Sequence, residues 1–386
     1  MAELERIISE TRAYACLDCG KCTAACPVAH YDPDYSPRKL VASAAWSHEK
    51  VLRNGQLWSC ITCSMCQERC QSGVQYTELI KRLRTEAHAL GGEGGQCSHG
   101  GALQSLMHIM TADGLNQDRL GWLDKSLRTA ARSDTLYFVG CQPYFDVIFA
   151  DLGVKTLDTA RGAVKLLNRM GIVPALAPNE RCCGHDLLWA GDSEGFAKLA
   201  EHNLKEITKT GARRVVTTCP ECYLTLKEEY PRRLGSLDFE VVHISQLLSE
   251  AVADGRLKFR GRGNKKVTYH DPCRLGRLSG IYDQPRSVIN AIPGLELAEM
   301  PRSRATALCC GTQAWMNCGS VNKQIQAERL REAGSTGADT LITACPKCQI
   351  HLKCALNDAN LGAEINLQIE DMTSLAARSL AAGGGV

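Results

Sequence analysis

The feature that most constrains this chain is a cysteine run used twice. It reads Cys16-x2-Cys19-x2-Cys22-x3-Cys26-Pro27 and then Cys60-x2-Cys63-x2-Cys66-x3-Cys70. Three sulfurs at successive x2 spacings require a loop that turns tightly around a cube, with a helix carrying the fourth sulfur packed beside it. This is the spacing of [4Fe–4S] sites, and in a two-cluster arrangement the fourth cysteine of each run ligates the other cluster. Cys16, Cys19, Cys22 and Cys70 are therefore expected on one cubane, and Cys60, Cys63, Cys66 and Cys26 on the second. Zinc is the rival, because paired C-x2-C units also make tetrahedral thiolate sites. Three successive cysteines at x2 spacing, in two copies, fit a zinc ribbon badly. Gln71 stands where proline usually follows the last cysteine. That proline shapes a turn and is no ligand, so the assignment does not depend on it.

Composition narrows the class. The 386 residues include 21 cysteines, an odd number that cannot all pair within the chain. The opening MAELERIISE has no apolar signal core, and no run of about 18 apolar residues is present to cross a bilayer. A cytoplasmic protein is expected, and in a reducing compartment dense cysteine means metal binding or catalysis. Lys+Arg at 45 against Asp+Glu at 42 leaves a net +3, which gives no case for nucleic acid. With aromatics at 5% the core must be mainly aliphatic, and bound clusters are expected to contribute to its stability.

The pattern divides the chain into residues 1–95, carrying the two runs; 96–134, a connector; and two similar halves, 135–260 and 261–386. Gly91 to Gly101 reads as a flexible linker, and the stretch from Ser105 to Arg132 as helical. The first half contains LYFVGC, ERCCGHDLLWAG, ARRVVTTCPEC and FEVVHISQLL. The second contains VTYHDPC, ALCCGTQAWMNCG, ADTLITACPKC and INLQIEDMTSL. The same features in the same order indicate a duplicated unit. Short β-branched runs following amphipathic helical stretches predict βαβ units around a small parallel sheet. Each C-P-x-C lies where a strand ends and proline opens a helix, the usual place for a site in such folds.

Each half supplies five cysteines: Cys141-x40-Cys182-Cys183-x35-Cys219-x2-Cys222, and Cys273-x35-Cys309-Cys310-x34-Cys345-x2-Cys348. Adjacent cysteines suit one tetrahedral ion poorly, because their side chains diverge; they could serve different irons of one larger cluster. Structural zinc with a redox disulfide at each C-P-x-C would leave the doublets and the upstream cysteines unexplained. Gly184 and Gly311 follow the doublets, where a missing side chain lets backbone or substrate approach.

The two sets resemble the CCG domains of heterodisulfide reductases. With the ferredoxin-type part ahead of them, the whole chain is similar to the fused form, HdrD, that joins ferredoxin and CCG subunits. The 33 residues between Cys26 and Cys60 resemble the longer ferredoxin modules of respiratory and anaerobic electron-transfer subunits. The resemblance implies an α+β chain: a helical ferredoxin-like domain with two cubane [4Fe–4S] clusters, then two tandem α/β CCG domains. It further implies that each complete set holds a noncubane [4Fe–4S] cluster and that a small disulfide is reduced between the two clusters. Flavin- or iron–sulfur-containing subunits of an anaerobic redox complex would supply the electrons. A relay without its own substrate, as in class II benzoyl-CoA reductases or flavin-linked hydroxy-acid dehydrogenases, is the alternative, and a zinc-bound scaffold explains least.

His185 and His270 lie beside the motifs and could donate a hydrogen bond to a cluster sulfur or a proton to a departing thiolate. Arg274, Arg277 and Lys347 could attract an anionic substrate, with solvated surface as the plainer expectation. Cys97, Cys318 and Cys354 match no set; burial as small apolar residues is expected for Cys318 and Cys354, and exposure in the linker for Cys97. No phosphate loop or nucleotide fingerprint is present.

Overall fold

The computed structural model describes residues 2–92, 98–261, 263–316 and 318–381. Cys97 lies outside them. The chain forms two compact units: Met1–Ala112, Gly184–Lys198 and Ala305–Glu328 make one, and Asp113–Cys183, Leu199–Arg304 and Arg329–Val386 the other. Compactness thus groups the chain differently from the sequence segments, because the stretches that follow both cysteine doublets belong with the N-terminal part.

The first unit is helical. The Pro37–Trp46 helix starts where Ser36 Oγ accepts from Lys39 N with proline in the first turn, the usual chemistry of a helix start. The longest N-terminal helix, Tyr76–Ala89, buries Leu79, Ile80 and Leu83 on one face, the 3.6-residue stripe of an amphipathic helix. Lys81 and Arg84 are buried as well.

The second unit holds the parallel sheets of both halves of the repeat. Strands β1 (Thr135–Phe138), β2 (Arg214–Thr217) and β3 (Glu240–His243) pair in parallel in the order β1-β2-β3, with Leu136 opposite Val215 and Val215 opposite Val241. Strands β4 (Lys265–His270), β5 (Leu295–Leu297), β6 (Thr340–Thr343) and β7 (Gln368–Asp371) form a second parallel sheet in the order β5-β4-β6-β7. Parallel sheets are covered on both faces, and β1 and β6 are accordingly buried along their whole length. β2 and β6 run directly into the C-P-x-C motifs. Cys219 caps the Pro220–Leu224 helix and Cys345 the Pro346–Leu356 helix, each with proline in the first turn.

The helix expected across 105–132 stops early: it spans Ala102–Ile109. Beyond it Asp118 Oδ1 accepts from Leu120 N and Gly121 N, and Asp124 Oδ1 from Ser126 N. These local side-chain bonds offer the backbone turns in place of a helix.

Candidate iron–sulfur centres

The two N-terminal runs share one backbone device. Asp18 and Gly20 in the first have φ of 51° and 77°, and Thr62 and Ser64 in the second have 44° and 65°. Left-handed residues on both sides of the middle cysteine curl each loop back on itself, the shape that three sulfurs around one cluster require. Three of these four are not glycine, and Thr62 is β-branched. Such residues hold this conformation at a cost of about 1–3 kcal/mol each, which marks the loops as shaped for a ligand. Gly20 and Ser64 then cap the short helices Lys21–Ala24 and Met65–Glu68.

The fourth cysteines differ. Cys26 caps the Pro27–Tyr31 helix, whereas Cys70, followed by Gln71, enters a turn in which Val74 N donates to its Sγ at 3.4 Å. Burial, then the neighbouring Cys63 and Cys60, push the Cys26 thiol strongly up. Burial, then Cys60, Cys63 and Cys26, act likewise on Cys66. Cys26 therefore stands among the sulfurs of the second run. Crowded buried thiols resist ionisation unless a cation compensates them, so this donor set fits an iron–sulfur cluster. Thr62 N also donates to Cys60 Sγ at 3.3 Å. Cys60, Cys63 and Cys66 are buried, while Cys19 is exposed beside Leu17 and Tyr14, which are 74% and 67% exposed. The two cysteine runs consequently differ in access to solvent.

In the second unit Cys182, Cys183, Cys219 and Cys222 form one sulfur cluster. Hydrogen bonding from Cys182 raises the Cys183 thiol, and bonding from Cys183 and Cys219 raises that of Cys222. Cys141 follows Gly140, whose φ is 65° and where a β-carbon would lie 3.0 Å from Cys222 Sγ. Only glycine lets the Cys141 loop close onto this set. Glu180, 3% exposed, fixes that loop by accepting from Val139 N at 3.1 Å and Gly140 N at 2.6 Å, while Arg119 Nη2 donates to it at 3.1 Å. Burial still pushes Glu180 up to about 7. Asn203 secures the doublet, accepting from Arg181 N and donating to Cys182 O.

Of the second set, Cys273, Cys345 and Cys348 lie in the same unit, where Cys348 N donates to Cys345 Sγ at 3.5 Å; Cys309 and Cys310 belong to the first unit. Arg286 holds the loop before Cys273 by a two-pronged contact with Asp271, at 2.7 and 2.9 Å. The two C-P-x-C motifs meet across the repeat. Lys347 Nζ pairs with Glu221 Oε2 at 2.5 Å, both nearly buried, and burial followed by the neighbouring Cys219 and Glu221 raises the Cys345 thiol.

Several expectations change. Lys347 and Arg274 are buried, at 6% and 3% exposure, and are not solvated surface; Arg277 is partly buried. Cys318 and Cys354 are half-buried instead of buried. Gly184 and Gly311 have a reason within the protein. Their φ values are 85° and 83°, and a β-carbon would lie 2.7 Å from Phe196 Cδ2 and 2.9 Å from Asn322 O respectively. His185 Nδ1 lies 3.0 Å from Asp186 Oδ1. His270 ends β4, accepts from Arg329 Nε at Nδ1, and has its pKa lowered to about 3 by burial and by Arg329. Its ring proton is thus on Nε2, and one ring nitrogen lies within 4.8 Å of Cys348 Sγ.

The chain matches the cysteine-rich CCG domain over residues 135–227 and 267–353, and the 4Fe–4S dicluster domain over 12–74. It is 30% identical to the D-type component of the dihydromethanophenazine:CoB–CoM heterodisulfide reductase of Methanosarcina barkeri, across 95% of this chain and 93% of that protein. The chain belongs to the HdrD family of heterodisulfide reductases. It is an iron–sulfur oxidoreductase with a ferredoxin-like part and two CCG domains. Other relatives are a component of the fumarate reductase (CoM/CoB) of Methanothermobacter marburgensis, 28% identical over 90% of this chain and 69% of that one, and the probable iron-sulfur-binding oxidoreductase FadF of Bacillus subtilis, 27% identical over 95% and 60%. A hypothetical protein from Helicobacter pylori shares the fold, with a TM-score of 0.52 at 12% identity over 90% of this chain and 67% of that one. Among the described residues no helix is long and apolar enough to cross a membrane.

Proposed function

We propose that this chain is the disulfide-reducing component of a cytoplasmic, multi-subunit redox complex. It holds two cubane clusters on Cys16, Cys19, Cys22 and Cys70, and on Cys60, Cys63, Cys66 and Cys26. It holds two noncubane clusters on the five-cysteine sets of residues 135–260 and 261–386. Bound clusters supply one-electron transfer, so that R–S–S–R′ + 2 e⁻ + 2 H⁺ gives R–SH + R′–SH. The observation that supports the reading is the meeting of the two C-P-x-C motifs through Glu221 and Lys347, since cleavage of one bond between two sulfurs calls for two redox centres beside one another. His270 Nε2–H serves as a hydrogen-bond donor near Cys348, because a neutral ring with so low a pKa is no proton reservoir at neutral pH. Exposure of Cys19, Leu17 and Tyr14 favours the first cubane as the side that receives electrons from a flavin- or iron–sulfur-bearing partner.

The test pairs two assays on anaerobically purified protein: thiol release from candidate disulfides, and reduction of the copurifying partner. Cys182→Ala and Cys309→Ala should each be as inactive in thiol release as the double variant, since parts acting as a unit are strongly non-additive. Both should still accept electrons into the cubanes. Wild-type protein that reduces its partner but no disulfide would establish the relay instead.

A further inference from the structure

Arg84, in the Tyr76–Ala89 helix, is fully buried. Five of its hydrogen bonds go to backbone carbonyl and side-chain amide oxygens. Nε donates to Leu57 O at 3.0 Å; Nη2 donates to Leu57 O at 2.8 Å and to Cys60 O at 2.7 Å; Nη1 donates to Trp189 O at 3.0 Å and to Gln313 Oε1 at 2.9 Å. Its guanidinium also lies over the Trp58 ring, 5.5 Å from the centroid. Buried charge is expensive unless something compensates it. These hydrogen bonds offset part of that cost and fix the guanidinium among its acceptors. One of them is the carbonyl of Cys60, a proposed cluster ligand. Trp189 and Gln313 follow the two CC-Gly motifs, and both belong to the same compact unit as Arg84.

We propose that Arg84 is a positioning residue of electron transfer. Its charge raises the reduction potential of the cubane on Cys60, Cys63, Cys66 and Cys26, and its fork ties that cluster's loop to the segments following both CC-Gly motifs. Reduction adds one negative charge to the cluster, and a buried positive charge fixed on the carbonyl of one of its ligands favours the reduced form. Guanidinium suits the task because it stays protonated and its rigid fork reaches several carbonyls at once. The inference rests on the cubane assignment above.

Redox titration of the loaded protein followed by EPR tests it, with the cubane on Cys16, Cys19, Cys22 and Cys70 as internal control. Arg84→Met should lower the reduced-to-oxidised ratio of the Cys60 cubane at a fixed potential by tenfold or more, about 59 mV for a one-electron couple. Gln313→Glu, nearly isosteric, places a carboxylate where Gln313 Oε1 now accepts from Nη1. It should lower the same potential without removing the fork. Arg84→Lys, which keeps the charge, should stay near wild type. If Arg84→Met fails to hold the cluster, the Gln313→Glu and Arg84→Lys pair decides. An unchanged potential in Gln313→Glu, or equal shifts in both cubanes, overturns the inference. Absence of a second cubane signal from the wild type would instead remove the cluster assignment, and the inference with it.

Discussion

Gly184→Ala separates packing from substrate access at the first CC-Gly motif. Two costs follow from the structure. An L-residue at φ of 85° pays about 1–2 kcal/mol for left-handed backbone. The new methyl would lie 2.7 Å from Phe196 Cδ2 and 3.5 Å from Phe196 Cα, so it meets the root of a buried side chain and cannot simply push a flexible tip aside. Overpacking of this kind costs about 1–3 kcal/mol. The sum is about 2–5 kcal/mol, without any substrate present. Phe196→Ala removes the collision and leaves the backbone term. Gly184→Ala should therefore cost only about 1–2 kcal/mol in that background, a coupling of about 1–3 kcal/mol. The assay is denaturant-induced loss of cluster absorbance in anaerobic wild type, both single variants and the double variant, compared by midpoint and slope. The reasoning fails if Gly184→Ala unfolds with wild type while losing thiol release, since the glycine would then be making room for substrate. It fails equally if its cost is the same with and without Phe196.

Three further outcomes are expected. Cys26→Ala should destroy the cubane on Cys60, Cys63 and Cys66 and spare the one encoded beside it; EPR showing loss of the Cys16 cluster instead would contradict the crossing of fourth ligands. Glu221→Gln and Lys347→Gln should each cost about 3–5 kcal/mol by breaking a buried ion pair from one side, whereas Glu221→Met with Lys347→Met should cost much less; equal losses in all three would show that the pair does not join the repeats as described. Burial raises the Asp371 pKa from 3.8 to about 6, so the folded state holds this proton more tightly than the unfolded one. That contribution to stability is full below 3.8 and is lost as pH rises through about 6. Asp371→Asn, which keeps the cap on the Met372–Arg378 helix, should gain on wild type by about 1.4 kcal/mol per pH unit across that window, and a pH-independent difference in unfolding midpoint would refute it.

Much of the architecture is legible locally. The β-branched runs VVTTC and LITAC state strands ending in cysteine, and the proline after each cysteine states the helix start. The cysteine runs announce tight loops, although only the backbone shows that Asp18 and Gly20 are matched by Thr62 and Ser64. What escapes a reading of the sequence is long-range. Glu180 reads as an ordinary charge before CCG, but it is buried and holds the loop before Cys141 from 40 residues away. Lys347 reads as surface until its partner Glu221 is found in the other repeat. Arg84 left one signal: it falls on the apolar stripe of its helix, between Ile80 and Ala87. The connector misled because helix-compatible residues there are overruled by Asp118 and Asp124, whose side chains close turns.

Iron and labile-sulfide analysis of anaerobically purified protein, combined with EPR of the oxidised and reduced states, tests the central claim most directly. Four complete ligand sets predict roughly sixteen irons and sixteen sulfides per chain, with two cubane signals and additional signals of noncubane type. A stable content of roughly eight irons with cubane signals alone would contradict the claim that the duplicated cysteine sets hold clusters.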